Sequence, residues 1–80
     1  MIITLRYFAS LRDAAGCADE RIDSEETAPP RALYAQAAVR HGFTLPLERL
    51  RVAVNGDFAD ADTPLRDGDE VAFLPPVSGG

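Results

Sequence analysis

Eighty residues make one small domain with no room for a second core, and 46% hydrophobic with 26% charged residues is a globular rather than a disordered composition. One cysteine and one histidine provide neither a disulfide nor a metal staple, so stability is expected to come from a compact core. A net charge of −5 argues against nucleic acid as a partner, and no apolar run approaches a membrane span, so the expectation is a cytoplasmic protein with no membrane partner.

In chain order, Ile2 to Phe8 alternates and is rich in β-branched and aromatic residues, which predicts a strand. Ile3, Leu5 and Tyr7 share one face; Ile2, Thr4, Arg6 and Phe8 share the other. Ser10 is placed to cap a short helix over Leu11 to Ala15, which Gly16 ends. Ala18 to Ser24, centred on Ile22, reads as a weaker strand paired with the first. Thr27-Ala28-Pro29-Pro30 introduces the main helix. Ala32, Leu33, Ala35, Gln36, Val39 and Arg40 follow at helical spacing, and His41-Gly42 closes it. After a loop containing Phe43, Leu45, Pro46 and Leu47, Arg51 to Val54 is a strand. Asn55-Gly56 is a hairpin signal, since both positions accept φ > 0, and Phe58 to Asp60 is the return strand. Pro64 to Asp69 is a second turn, and Glu70 to Leu74 is the last strand.

Short strands with one long helix point to an α+β layer structure, the helix packed across a mixed sheet. The expected core is Ile3, Leu5, Tyr7, Ile22, Leu33, Val39, Val52, Val54, Leu65, Val71 and Phe73. The period-2 rule then turns Leu74 and Phe8 outward, and Phe58, beside the hairpin turn, is expected to be exposed with them. Three large apolar side chains facing out near the end of the chain form a candidate interaction patch.

Pro75-Pro76-Val77-Ser78-Gly79-Gly80 follows the last strand. The proline rings fix φ and favour an extended exit, whereas the two glycines fit a channel too narrow for side chains. Val77 to Gly80 reaches about 13 Å at roughly 3.3 Å per residue, so chemistry at this tip is expected inside a partner's pocket.

Other chemistry-bearing residues read as ordinary. Cys17 follows Gly16 in a loop without a second cysteine or a nearby histidine. His41, at a helix C-terminus, complements the helix dipole. Asp57, Asp60 and Asp62 lack the glycine and the distal glutamate of a calcium loop, and Asp67-Gly68-Asp69 is a turn, so no metal site is expected. All eight basic residues are arginine, which reads as composition bias.

Tyr7-Phe8-Ala9, Val54-Asn55-Gly56 and the run from Pro64 through Asp67-Gly68-Asp69-Glu70-Val71-Ala72-Phe73-Leu74 to Gly80 resemble the MoaD family, the small subunits of molybdopterin synthase. The resemblance covers most of the chain and implies a ubiquitin-like β-grasp over residues 1–80, with 75–80 as a protruding functional tail. It implies that a MoeB-like activating enzyme uses ATP to adenylate the Gly80 carboxylate, that a persulfide-derived sulfur converts it to a thiocarboxylate, and that Gly79 gives channel access. A MoaE-like large subunit would accept the tail, and sulfur would pass to cyclic pyranopterin monophosphate in a heterotetramer with a small subunit at each end. The chain would be a sulfur-donating subunit rather than a complete enzyme. The family's partner contact maps onto Phe8, Phe58 and Leu74, with Pro75, Pro76, Val77 and Ser78 leading to the glycines. One departure lies in the main helix, where Thr27 is followed by Ala28-Pro29-Pro30-Arg31 and Leu33 comes two positions later than the family's leucine. Two alternatives stay open: a β-grasp sulfur carrier for thiamine thiazole or cysteine synthesis, and a ubiquitin-like protein modifier.

Overall fold

A computed structural model describes residues 1–24 and 27–76. In chain order the elements are β1 (Ile2–Tyr7), α1 (Ala9–Ala15), β2 (Asp19–Asp23), α2 (Pro30–His41), a 3₁₀ turn (Leu47–Arg49), β3 (Arg51–Val54), β4 (Asp57–Ala59) and β5 (Glu70–Leu74). The strands form one sheet in the order β2-β1-β5-β3-β4, in which β1 and β5 run parallel and the other neighbours antiparallel. The first and last strands therefore lie side by side at the centre.

Alternation sets the faces. Ile3, Leu5 and Tyr7 on β1, Val71 and Phe73 on β5, and Val52 on β3 are buried on the face that α2 covers, joined there by Leu33, Tyr34, Ala37, Leu65 and Leu11. Ile22 and Val54 are half-buried against this cluster. The expected core holds except at Val39, which is 86% exposed. The buried stripe of α2 is Pro30, Leu33, Tyr34 and Ala37. Residues 32, 35, 36 and 39 have the same spacing on the opposite side. In a helix this rich in alanine, spacing alone does not tell one phase from the other.

Both helices start without a side-chain cap. Phe8, not Ser10, holds the N-cap position of α1, and β1 ends one residue earlier than expected. Ala9 takes φ 51, a left-handed turn that costs a residue with a Cβ about 1–2 kcal/mol. At α2 the cap position is Pro29, with Pro30 as the first helical residue. The Arg31 N–H donates to the Ala61 carbonyl at 2.9 Å, and the Arg31 guanidinium grips Asp62 through two bonds of 2.9 and 3.2 Å. The departure at Thr27 to Arg31 is thus accommodated by tying the helix start to the 60–62 loop.

The Asn55-Gly56 turn has φ 51 and 89, as a hairpin of the primed type requires. Asn55 does more than turn. Its side chain donates to Asp69 and accepts from the Glu70 N–H, both at 2.9 Å. The 66–69 turn is fastened to β1 in the same way: Asp67 accepts from the Ile2 N–H at 2.6 Å, and the Gly68 N–H donates to the Ile2 carbonyl at 2.8 Å. Both turns therefore fix where β5 starts, and so where it ends.

Candidate functional site

The face of the sheet away from α2 carries the candidate site. Register places Leu74 opposite Arg51, Ala72 opposite Ala53, and Ala53 opposite Phe58. On the other side, Arg6 pairs with Ala72 and Tyr7 with Phe73. Phe8 follows Tyr7 in extended backbone, φ −129 and ψ 152, at the end of β1 that pairs with Phe73. Leu74 is thus next to Arg51, with Phe58 on the neighbouring strand beyond. Phe58 is 68% exposed, whereas Phe8 and Leu74 are half-buried. The three expected residues share one face, but only Phe58 stands clear of the surface.

Two arginines support the rings. The Arg6 guanidinium lies 5.5 Å from the centre of the Phe8 ring, and that of Arg51 lies 5.0 Å from Phe58. Such stacking holds a ring in place while keeping the charge in water. A groove of about 510 Å³ opens beside Phe58 and Leu74 and is closed by Glu48, Arg49 and Leu50 from the 3₁₀ turn and by Pro75 and Pro76. Sequence reasoning passed over this wall and the two stacked arginines, because the 47–50 segment reads as featureless loop and a cation over a ring has no fixed spacing. The apolar residues Leu47 and Leu50 bracketing the segment were the available signal. Val77, Ser78, Gly79 and Gly80, the residues carrying the expected chemistry, lie outside the described residues.

On the opposite face a polar cluster interrupts the core. Glu20 is on the inward side of β2, opposite Leu5. It accepts hydrogen bonds from the Tyr7 hydroxyl, from Arg40 Nη2 at 2.7 Å and from His41 Nε2 at 2.9 Å. Burial pushes its carboxyl up, but the bonds from Tyr7, Arg40 and His41 outweigh this and bring it down to about 2. Burial first, and the adjoining carboxylate second, push the Tyr7 hydroxyl well above its ordinary value. His41 also stacks edge-on against Tyr7 at 5.6 Å. It is a strut between α2 and the sheet as well as a dipole partner.

Among the described residues no group of three or more histidine, cysteine or acidic side chains could hold a metal ion. Asp62 is engaged with Arg31, and Asp60 accepts from the Asp62 N–H at 3.3 Å. Cys17 is half-buried against the core. No helix among the described residues is long and apolar enough to cross a membrane.

Comparison with known proteins gives a consistent answer. The ThiS family profile matches residues 5–80. A molybdopterin synthase sulfur carrier subunit from Escherichia coli is 36% identical, the alignment covering 99% of this chain and all of the relative. Among solved structures, SAMP1 from Haloferax volcanii superposes with a TM-score of 0.83 at 27% identity, over the full length of both chains. A Helicobacter pylori complex of subunits 1 and 2 of molybdopterin-converting factor superposes with a TM-score of 0.70 at 28% identity, also over both full lengths. The fold is the ubiquitin-like β-grasp. With the family profile reaching across nearly the whole chain and a full-length relative well above 30% identity, the chain belongs to the ThiS family, among relatives of the molybdopterin synthase sulfur carrier (MoaD) type.

Proposed function

We propose that this chain is the sulfur carrier subunit of a molybdopterin synthase. The observation that carries the reading is positional. The central strand β5 runs directly into Pro75-Pro76 beside an apolar, arginine-flanked surface, and the sequence beyond it is Val77-Ser78-Gly79-Gly80. Full-length relatives carry the same functional name.

The chemistry follows from what a terminal carboxylate lacks. It is a poor electrophile until one oxygen becomes a good leaving group. In the proposed sequence the Gly80 carboxylate attacks the α-phosphate of ATP on a MoeB-like enzyme, releasing pyrophosphate. A persulfide sulfur displaces AMP from the acyl adenylate, and a second thiol cleaves the S–S bond, leaving the thiocarboxylate. That anionic, polarisable sulfur is a good nucleophile at neutral pH. Side-chain-free Gly79 and Gly80 fit the narrow approach such a transfer needs. A MoaE-like large subunit supplies positioning and electrostatic stabilisation as sulfur passes to the pterin precursor, in the heterotetramer that the MoaD resemblance implies. Phe8, Phe58, Leu74 and the two prolines form the contact that brings the tail to its partners.

The test is the intact mass of the protein from its native cytoplasm, followed by peptide mapping. A species about 16 Da heavier, with the added mass on the C-terminal peptide rather than on Cys17 or Met1, marks oxygen replaced by sulfur. An unmodified tail in the presence of the activating enzyme and a sulfur source rejects the reading. A second reading, a ubiquitin-like modifier, is favoured by the superposition on a small archaeal modifier protein. Higher-mass conjugates that vanish when Gly80 is removed would establish it.

A further inference from the structure

The groove beside Pro75 and Pro76 brings two arginines together on one apolar lining. Arg51 and Arg49 both line it, and among the described residues neither has a carboxylate within ion-pair distance. Arg6, Arg31 and Arg40 are paired, with Glu70 at 3.4 Å, Asp62 at 2.9 Å and Glu20 at 2.7 Å. Arg12, Arg21 and Arg66 have no ion pair among the described residues either, but none of them lines this groove, and it is the apolar surroundings that set Arg49 and Arg51 apart. The groove's own carboxylate, Glu48, leaves its lining with one net positive charge in a chain of net charge −5. Around these charges the lining is apolar: Leu50, Phe58, Leu74, Pro75 and Pro76.

A molecule of net charge −5 is drawn towards basic surfaces in general. Arg49 and Arg51, lining the groove beside Pro75 and Pro76, act against that general attraction at one place. A basic residue brought there is repelled, whereas a carboxylate is met by a planar donor already fixed over the Phe58 ring. Local charge of this kind sets register and rejects wrong partners more than it adds affinity. Because Pro75 and Pro76 form one wall, whatever occupies the groove also touches the root of the tail.

We propose that this groove receives an apolar side chain flanked by a carboxylate, presented by the protein that accepts the tail, and that Arg51 and Arg49 select that partner by its negative charge. The proposal rests on the functional reading above, in which the accepting protein is the synthase large subunit. Arg51 and Arg49 are specificity-determining residues of the docking step; neither touches reacting atoms.

The experiment is calorimetric titration of the full chain with its own large subunit at about 50 and about 300 mM NaCl. Wild type, Arg51→Gln, the double variant Arg49→Gln/Arg51→Gln, Arg51→Lys and Leu74→Asp are compared, each checked by thermal melting. The double variant is expected to weaken binding roughly tenfold at low salt, within the range of close interfacial charge pairs. The gap from wild type should narrow at high salt, and Arg51→Lys, which keeps the charge but not the planar stack, should bind more tightly than Arg51→Gln at low salt. A double variant within about twofold of wild type at both salt concentrations, with Leu74→Asp still abolishing binding, overturns the charge proposal and leaves the functional reading intact. A tenfold loss that does not change with salt also overturns it, because lost packing over Phe58 then accounts for the effect. A wild-type chain that does not bind the large subunit overturns the functional reading and the proposal with it.

Discussion

Glu20 shows how much one side chain can tie together. It takes donors from β1 (Tyr7) and from the last turn of α2 (Arg40 and His41), so one carboxylate locks the helix C-terminus onto the sheet. Its carboxyl sits at about 2, below the ordinary 4.5, which gives the sign of its contribution. A depressed pKa means stabilisation fully present above about pH 4.5 and lost progressively as pH falls towards 2. Glu20→Gln should therefore cost about 1 kcal/mol at neutral pH, where a partly exposed, charge-assisted cluster is screened by solvent. The difference between variant and wild type should shrink as urea denaturation is repeated from pH 5 down to about pH 2.5. A difference constant over that range would mean that the charge of Glu20 contributes nothing. None of this was legible in the sequence. The four residues are joined only by folding, and Glu20 by itself looks like any acidic residue on a short strand.

At the scale of elements, legibility followed the strength of the local rule. Strands with strict alternation, β1, β3 and β5, were read to within a residue, and the buried faces of β1 and β5 followed from parity alone. The Asn55-Gly56 turn was equally plain, since few sequences satisfy two consecutive positive φ values. What the sequence did not reveal is that Asn55 also clamps Asp69 and Glu70. Asn55→Ala gives up both side-chain bonds and puts a less suitable residue at φ 51. It should cost about 1–3 kcal/mol in chemical denaturation. A cost below about 0.5 kcal/mol would assign the turn to Gly56 alone. The main helix was the weak point, because its alanines make two opposite stripes look alike. That error gives a direct test of phase. Val39→Glu, on the 86% exposed side, should change stability by less than about 0.5 kcal/mol. Ala37→Leu, at a position with no exposed surface against the sheet, should cost about 1–3 kcal/mol by overpacking. The reverse ranking would mean that α2 packs in the other register.

Over the whole molecule, topology roots Pro75 and Pro76 on an interior strand. β5 lies inside the sheet, bonded to β1 on one side and β3 on the other, and it supplies Val71 and Phe73 to the centre of the core. Pro75 and Pro76 leave from its end, so under the proposed function a partner gripping the chain beyond them would pull on an interior strand. β4 is the contrast: three residues at the sheet edge, bonded on one side only, and carrying exposed Phe58. Local openings begin at such edges and reach interior strands only when the whole domain unfolds. Native-state hydrogen exchange should therefore divide the two. Amides of β5 that bond to β1 or β3 should exchange with the free energy and denaturant dependence of global unfolding. Those of β4 should exchange through smaller openings that depend weakly on denaturant. If β5 instead opens with β4, the root of the tail is a mobile hinge rather than a fixed mount. Under the proposed function, docking at Phe58 and Leu74 would then also have to order the strand that leads to Pro75, and binding would carry the heat-capacity change of coupled folding. A fixed mount predicts a heat-capacity change no larger than the docked surface alone requires, which the same calorimetric titrations measure when run at several temperatures.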